Sequence, residues 1–227
     1  MCGRTTYNLT WEQIVALYNL TLQKKAPTNL RPRFNVCPTT QIDTIVGQNG
    51  GRELQSMRWG LIPQWWKKSL KEFKLATFNA RAETVAEKPM FRSAFKRNRC
   101  IIPVSGYYEW HTEGKEKQPY YFTAADGSPI LSIAGLWDEW KDLDSGEAIK
   151  SCTMMITEPN KFVARIHDRM PVLLEPDQFT PWLSGIAGVE ILKPASEDFL
   201  KMLPVSKRVN SSRTSDEDAT LIEELSE

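Results

Sequence analysis

Four stretches of this chain carry side chains whose chemistry exceeds what packing asks for. The first is the start, MCGRTTYN, where cysteine is the second residue. A small residue there lets the initiator methionine be clipped, and the chain would then begin at Cys2 with a free α-amine beside its thiol, a 1,2-aminothiol. In TFNARAET, Asn79 and Arg81 stand two apart and on an extended backbone would face the same side. SGYYEW places Glu109 between Tyr108 and Trp110. A carboxyl among aromatic rings is pushed toward its neutral form, which suits a proton donor. RIHDRMP gathers His167 with Arg165, Asp168 and Arg169 ahead of a proline-led strand. Taken singly, each has an ordinary explanation: a small buried thiol, an Asn bonding a turn, a Glu pairing with a cation at a strand edge, a loop histidine.

The elements that must position these residues are mostly strands. QIDTIVG, LQSMRWGLI, RCIIPVSGYYEW, PYYFTA, PILSIAGLWDEW, SCTMMIT and MPVLL all read as strand-like runs bounded by turn residues. AADGSP, between two of them, is a hairpin candidate because Asp-Gly tolerates positive φ. LTWEQIVALYNLTLQ reads as a helix, with Thr10 and Gln13 spaced as a capping box and Trp11, Val15, Tyr18 and Leu22 recurring on one face. Short helices are expected at PDQFTPWL and SEDFLKML, and KKAPTNLRPRFNVCPTT must be loop. The pattern predicts an α+β fold: a distorted barrel-like core of mixed and antiparallel strands with helices packed outside.

The 227 residues, 41% hydrophobic and 25% charged, fit a folded globular chain with no linker or repeat to divide it. No apolar run is long enough to cross a bilayer and the start lacks a signal-peptide core, so a cytoplasmic protein without membrane partners is expected. Four widely spaced cysteines, no CxxC and two histidines make a poor zinc inventory, so no metal or other cofactor is expected and reduced thiols are the default. Net charge is +1, but the final stretch, SDEDATLIEELSE, holds six acids and no Lys or Arg. Residues 1–214 therefore carry 29 basic against 22 acidic side chains, and a local basic face is plausible.

Together, MCGR, NVCPTT, RWGLIPQWW, FNARAET, GYYEW, IHDRMPV and LPVS occur in the order found in the SOS response associated peptidase (SRAP) family, the abasic site processing proteins. The chain resembles that family from residue 1 to about 212, which implies a single SRAP domain over 1–212 and an acidic tail over 213–227. Cys37 departs from the small residue common there and adds a second thiol.

The resemblance implies a covalent link between Cys2 and the ring-opened aldehyde of an abasic site in single-stranded DNA, with Asn79, Glu109 and His167 around it. An α-amine with a pKa of about 7.7–8.0 can attack the aldehyde, and the adjacent thiol can close on the imine to give a thiazolidine. Retaining Met1 would tie up the amine. Arg4, Arg81 and Arg169 would hold phosphates, and Trp65 and Trp66, with Asn35 and Pro38, resemble the family's wedge against bases beside the lesion. A protein used once per lesion would act as a monomer, at the nucleoid when on DNA. In the crosslinking reading Glu109 would shuttle protons and could also abstract a sugar proton to drive strand cleavage by β-elimination. Two rivals remain open: a thiol autopeptidase using Cys2 with His167 as base, and a plain single-stranded DNA-binding module.

Overall fold

The computed structural model describes residues 2–20, 30–48 and 50–225. Its strands are β1 (Thr5–Tyr7), β2 (Arg33–Val36), β3 (Gln41–Gln48), β4 (Gly51–Trp59), β5 (Asn79–Arg81), β6 (Arg99–Val104), β7 (Gly106–Glu113), β8 (Glu116–Ala124), β9 (Leu131–Lys141), β10 (Ala148–Thr157), β11 (Met170–Pro171) and β12 (Leu200–Pro204). Four α-helices occur among the described residues: α1 (Trp11–Tyr18), α2 (Arg92–Arg97), α3 (Lys161–Ala164) and α4 (Phe179–Ser184).

Strands β10, β4, β3, β6 and β9 pair in that order, and β9 pairs back onto β10, closing a five-strand barrel. The β10–β4 contact is parallel and the others antiparallel, so the barrel is mixed. β5 and β11 attach to the far end of β10. The second sheet, ordered β12-β8-β7-β1-β2, is antiparallel throughout.

The two sheets share one continuous run of sequence. RCIIPVSGYYEW is not a single strand: it breaks at Ser105, with β6 in the barrel and β7 in the second sheet. Gly106 permits the crossing, because a Cβ there would lie 2.5 Å from the Phe122 carbonyl oxygen and 2.6 Å from the Tyr121 ring. Beyond it, side chains alternate across β7 as a pleat requires. Tyr107 packs in the main core with Cys2, whereas Tyr108 joins a separate outer cluster of Phe34, Tyr121, Val205, Val209 and Leu221.

Four expectations need correction. KKAPTNLRPRFNVCPTT is not loop throughout: Arg33–Val36 is strand β2, because β1 offers it an antiparallel partner. AADGSP does turn, with Gly127 at φ 83°, but β8 and β9 lie in different sheets and form no hairpin. SEDFLKML is not helical: Leu200–Pro204 is strand β12, because the open edge of β8 offers backbone partners from Ala124 to Tyr120. Helix α1 forms with its Thr10–Gln13 capping box but stops at Tyr18, capped by Asn19 in the left-handed conformation. Its fully buried residues are Ile14 and Tyr18, while Trp11 and Val15 pack only partly and Leu22 lies outside the described residues.

The acidic end of the chain is a packed strap. Leu221, on a 3-10 turn at Ala219–Ile222, is fully buried in the outer cluster. The Phe34 N–H donates to the Asp216 carbonyl (2.6 Å), the Leu225 N–H donates to Pro204 (3.0 Å), and Glu224 bridges Val205. Arg31 pairs with Asp216 and Glu217, and Arg208 with Asp218.

Candidate active site

Strand β1 carries Cys2 into the middle of the molecule. It lies between β2 and β7, with Thr5 opposite Tyr107 and the Tyr108 N–H donating to the Arg4 carbonyl. That register sets Gly3 across from Glu109, so Cys2 and the carboxyl are close enough for the Glu109 charge to raise the thiol pKa. Burial does so more strongly: Cys2 is fully buried and its thiol is pushed well above the ordinary range. All four cysteines are free thiols.

Glu109 sits on the inward face of β7, 1% exposed. Burial is the main cause that pushes its carboxyl up to about 7. An acid with that value is close to half ionised at neutral pH and can give or take a proton. The aromatic flanks Tyr108 and Trp110 face outward, so the desolvation comes from the core on the inner side of β7 rather than from its two neighbours in sequence.

His167 reaches Glu109 from the loop between α3 and β11, with Nε2 3.7 Å from Oε2. The Asn160 side chain caps α3 by accepting from the Val163 N–H, and the His167 N–H returns to the Val163 carbonyl, which fixes the loop. The Arg169 N–H donates to Nδ1 at 3.0 Å, so the neutral ring carries its proton on Nε2, facing Glu109. Burial lowers the His167 pKa, while Asp168, 3.1 Å from Nδ1, opposes the fall.

Asn79 enters on β5, held parallel to β10 opposite Met154. Its Nδ2 donates to the Cys2 carbonyl at 2.9 Å, while Oδ1 is buried with no hydrogen-bond partner among the described residues. That leaves an acceptor beside the Cys2 backbone, aimed where an amine or hydroxyl could donate.

The residues expected to hold DNA divide into two groups. Arg81 is exposed, and its backbone carbonyl accepts from the Thr84 N–H (3.2 Å). Trp65 is 47% exposed, its indole N–H donating to the Pro89 carbonyl at 3.3 Å. Arg169 is bonded to Glu83, two residues beyond Arg81, which sets the two arginines near the same end of β5. Pro38 is half-buried in a turn tied to the end of β4 by the Thr39 N–H to Trp59 carbonyl bond (2.7 Å). Trp66 turns inward instead, edge-on to Phe73 at 5.1 Å.

Arg4 and Asn35 belong to an internal bridge under the C-terminal strap. Arg4 donates to the Asn35 Oδ1 and to the Val209 carbonyl (2.6 Å), and Asn35, 4% exposed, donates onward to Thr214 (2.8 Å) and Ser211 (3.3 Å). Their geometry serves the strap. Cys37 is half-buried, its Sγ 3.5 Å from the Asn35 carbonyl and its thiol pushed up by burial.

Sequence reasoning missed Glu83, Asp138 and Tyr107. Glu83 lies within FNARAET, and the WDEW run puts Asp138 between two tryptophans on a buried strand, the same signal that singled out Glu109. Among the described residues, no group of three or more His, Cys, Asp or Glu is placed to hold a metal, and no described helix is long and apolar enough to cross a membrane.

Comparison with known proteins finds relatives that span most of the chain. A Bacillus subtilis abasic site processing protein, YoaM, is 36% identical over 217 residues, covering 93% of each chain. The Xenopus tropicalis abasic site processing protein HMCES is 33% identical over 259 aligned residues, covering 94% of this chain and 76% of its own. A crystal structure of a Bacteroides thetaiotaomicron protein superimposes with a TM-score of 0.88 at 27% identity, covering 99% of this chain and 100% of that one. The SOS response associated peptidase (SRAP) family model matches residues 1–212, and the chain belongs to that family.

Proposed function

We propose that this protein captures abasic sites in single-stranded DNA by forming a thiazolidine between Cys2, freed of the residue before it, and the ring-opened sugar aldehyde. The observation that carries the reading is the convergence of Cys2, Asn79, Glu109 and His167 from four separate segments on one buried spot. Relatives named as abasic site processing proteins support the substrate class.

In this reading the α-amine attacks the C1′ aldehyde, Glu109 gives a proton to the departing hydroxyl, and water leaves an imine. The thiol then adds to the imine carbon, and its proton passes to the former imine nitrogen. One water is lost overall and no redox partner is needed. Burial holds the thiol neutral, so its attack on the imine carbon requires its proton to leave as the bond forms, and the imine nitrogen that becomes an amine takes it. His167, with its proton on the side of Glu109, would hold the sugar oxygen and assist ring opening. The Asn79 Oδ1 would accept from the amine or a sugar hydroxyl.

A thiol peptidase would need a thiolate–imidazolium pair, whereas burial raises the Cys2 thiol and lowers His167, both away from that pair. On the rim, Arg81 and Arg169 would hold phosphates and Trp65 would stack on a base.

Intact-mass spectrometry before and after incubation with single-stranded DNA carrying one abasic site, alongside Cys2→Ala, tests the proposal. The expected species is protein plus DNA minus one water, stable to denaturation and absent from the variant. A processed, folded protein that leaves the aldehyde untouched would overturn it.

A further inference from the structure

The turn that bears Trp65 is held by three side chains to which the chemistry above gives no task. Gly60, at φ 129°, leads out of β4, and residues 63–66 close a tight turn through the Trp66 N–H to Pro63 carbonyl bond (2.9 Å). Such a loop would ordinarily be among the more mobile parts of a surface. Here β9 and β10 grip it on both sides of the exposed indole. The Ile62 N–H donates to the Ser151 Oγ (2.8 Å), the Gln64 N–H to the Asp138 Oδ2 (2.9 Å), and the Trp140 indole N–H to the Trp66 carbonyl (2.8 Å).

Asp138 is the unusual member. It is 8% exposed, and its carboxyl is spent on two backbone N–H groups, those of Gln64 and Glu139 (3.0 Å). Burial raises its pKa, and those two hydrogen bonds pull against the rise. A buried carboxylate is a costly way to tie down one turn when a neutral acceptor or an apolar contact would serve the core. Its placement is explained if what matters is the direction in which the next residue points. Trp66 packs inward on Phe73 and Trp140 is fully buried, so the turn cannot rotate as a unit, and Trp65 is left standing outward against Pro89.

We infer that Asp138, backed by Trp140 and Ser151, is a positioning residue for DNA recognition: it aims the Trp65 indole so that it meets a nucleobase face without ordering cost at binding. This rests on the reading that the rim binds single-stranded DNA with Trp65 as its stacking platform. A pre-aimed aromatic contributes its stacking undiminished by lost rotamer and loop freedom.

The test is a double-mutant cycle on the full chain: Asp138→Asn, Trp65→Ala and both together. Asparagine keeps the shape but turns an N–H donor toward a backbone N–H. The first readout is equilibrium affinity for a short intact single strand, which does not depend on any covalent step. The second is the rate of adduct formation on an abasic strand at saturating DNA.

Asp138→Asn is expected to weaken affinity by about tenfold and to leave the saturated rate within about twofold. In the Trp65→Ala background it should weaken affinity by less than about twofold further. Ser151→Ala, which removes only the hydroxyl that accepts from the Ile62 N–H, should move affinity the same way by a smaller factor and guards against an Asp138 variant that fails to fold. Multiplication of the Asp138→Asn and Trp65→Ala effects in full, or a loss confined to the saturated rate, would overturn the inference. So would a wild-type protein that does not bind the strand. Wild type that binds but forms no adduct removes the crosslink proposal alone and leaves the cycle readable.

Discussion

The two faces of β7 are built on opposite principles. Its inner face presents Tyr107 and Glu109 to Cys2, and there polar groups are buried with few partners: the Tyr107 hydroxyl and the Asn79 Oδ1 have none among the described residues, and the Glu109 carboxyl is held near 7. On the outer face Tyr108, Trp110, Arg4 and Asn35 are all hydrogen-bonded, with the Arg4 Nε the one buried atom left without a partner among the described residues. Tyr108 donates to the Phe34 carbonyl (2.8 Å), Trp110 donates to Asn210 (2.6 Å), and Arg4 and Asn35 tie β1 and β2 to the strap. The difference teaches where stability and reactivity are kept. Buried groups left short of partners cost stability but stay available to a substrate, and hydrogen bonds around an apolar plug hold the strand that carries both.

The strongest way to break this contrast is Glu109→Gln. Loss of the proton shuttle should slow adduct formation between about a hundredfold and ten-thousandfold, with affinity for an intact strand within twofold. The wild-type rate should change slope near pH 7 and the variant's should not; an unchanged rate would take Glu109 out of the mechanism.

On the other face, Leu221→Ala removes the buried plug of the strap and should cost about 2–5 kcal/mol in denaturant melts. Adduct formation measured well below the melting temperature should stay within twofold. A parallel fall in rate would mean that the faces are coupled.

Stability against pH sharpens the inner half. The Glu109 pKa is raised in the fold from 4.5 to about 7, so its contribution is fully present below the unfolded value and is lost as pH rises through about 7. Glu109→Gln lacks that loss and should gain up to about 3 kcal/mol over wild type above pH 7. Equal stability at pH 5 and pH 8.5, relative to wild type, would show the carboxyl to be unperturbed.

Two smaller effects test the rim and the strap surface. Glu83→Gln should release Arg169, raising affinity for a single strand a few-fold and steepening its salt dependence by about one phosphate contact. Arg31→Ala removes exposed ion pairs to Asp216 and Glu217 and should shift stability by less than about 1 kcal/mol, and less still at high salt.

Much of this was legible in sequence because the signals were local. The strand-like runs QIDTIVG and SCTMMIT, the Thr10–Gln13 cap and the acid inside SGYYEW each announce themselves within a few residues. What escaped depends on partners far along the chain. Leu200–Pro204 reads as helix until β8 supplies an edge, and Arg4 and Asn35 read as surface contacts until residues 208–216 cover them. Trp65 and Trp66 are indistinguishable in sequence; only the grip of Asp138 and Trp140 sends one outward and the other in.

The central place of β1 also sets an order of events during synthesis. Its partner β2 follows soon after, but β7 begins about a hundred residues later, so the strand stays unsealed while that length is translated, about 5–20 s at typical elongation rates. Cys2 is fully buried once the sheet closes. Synthesis therefore leaves an interval in which the start of the chain is not yet held between its two neighbours, and Cys2 is enclosed only once β7 has been made and paired.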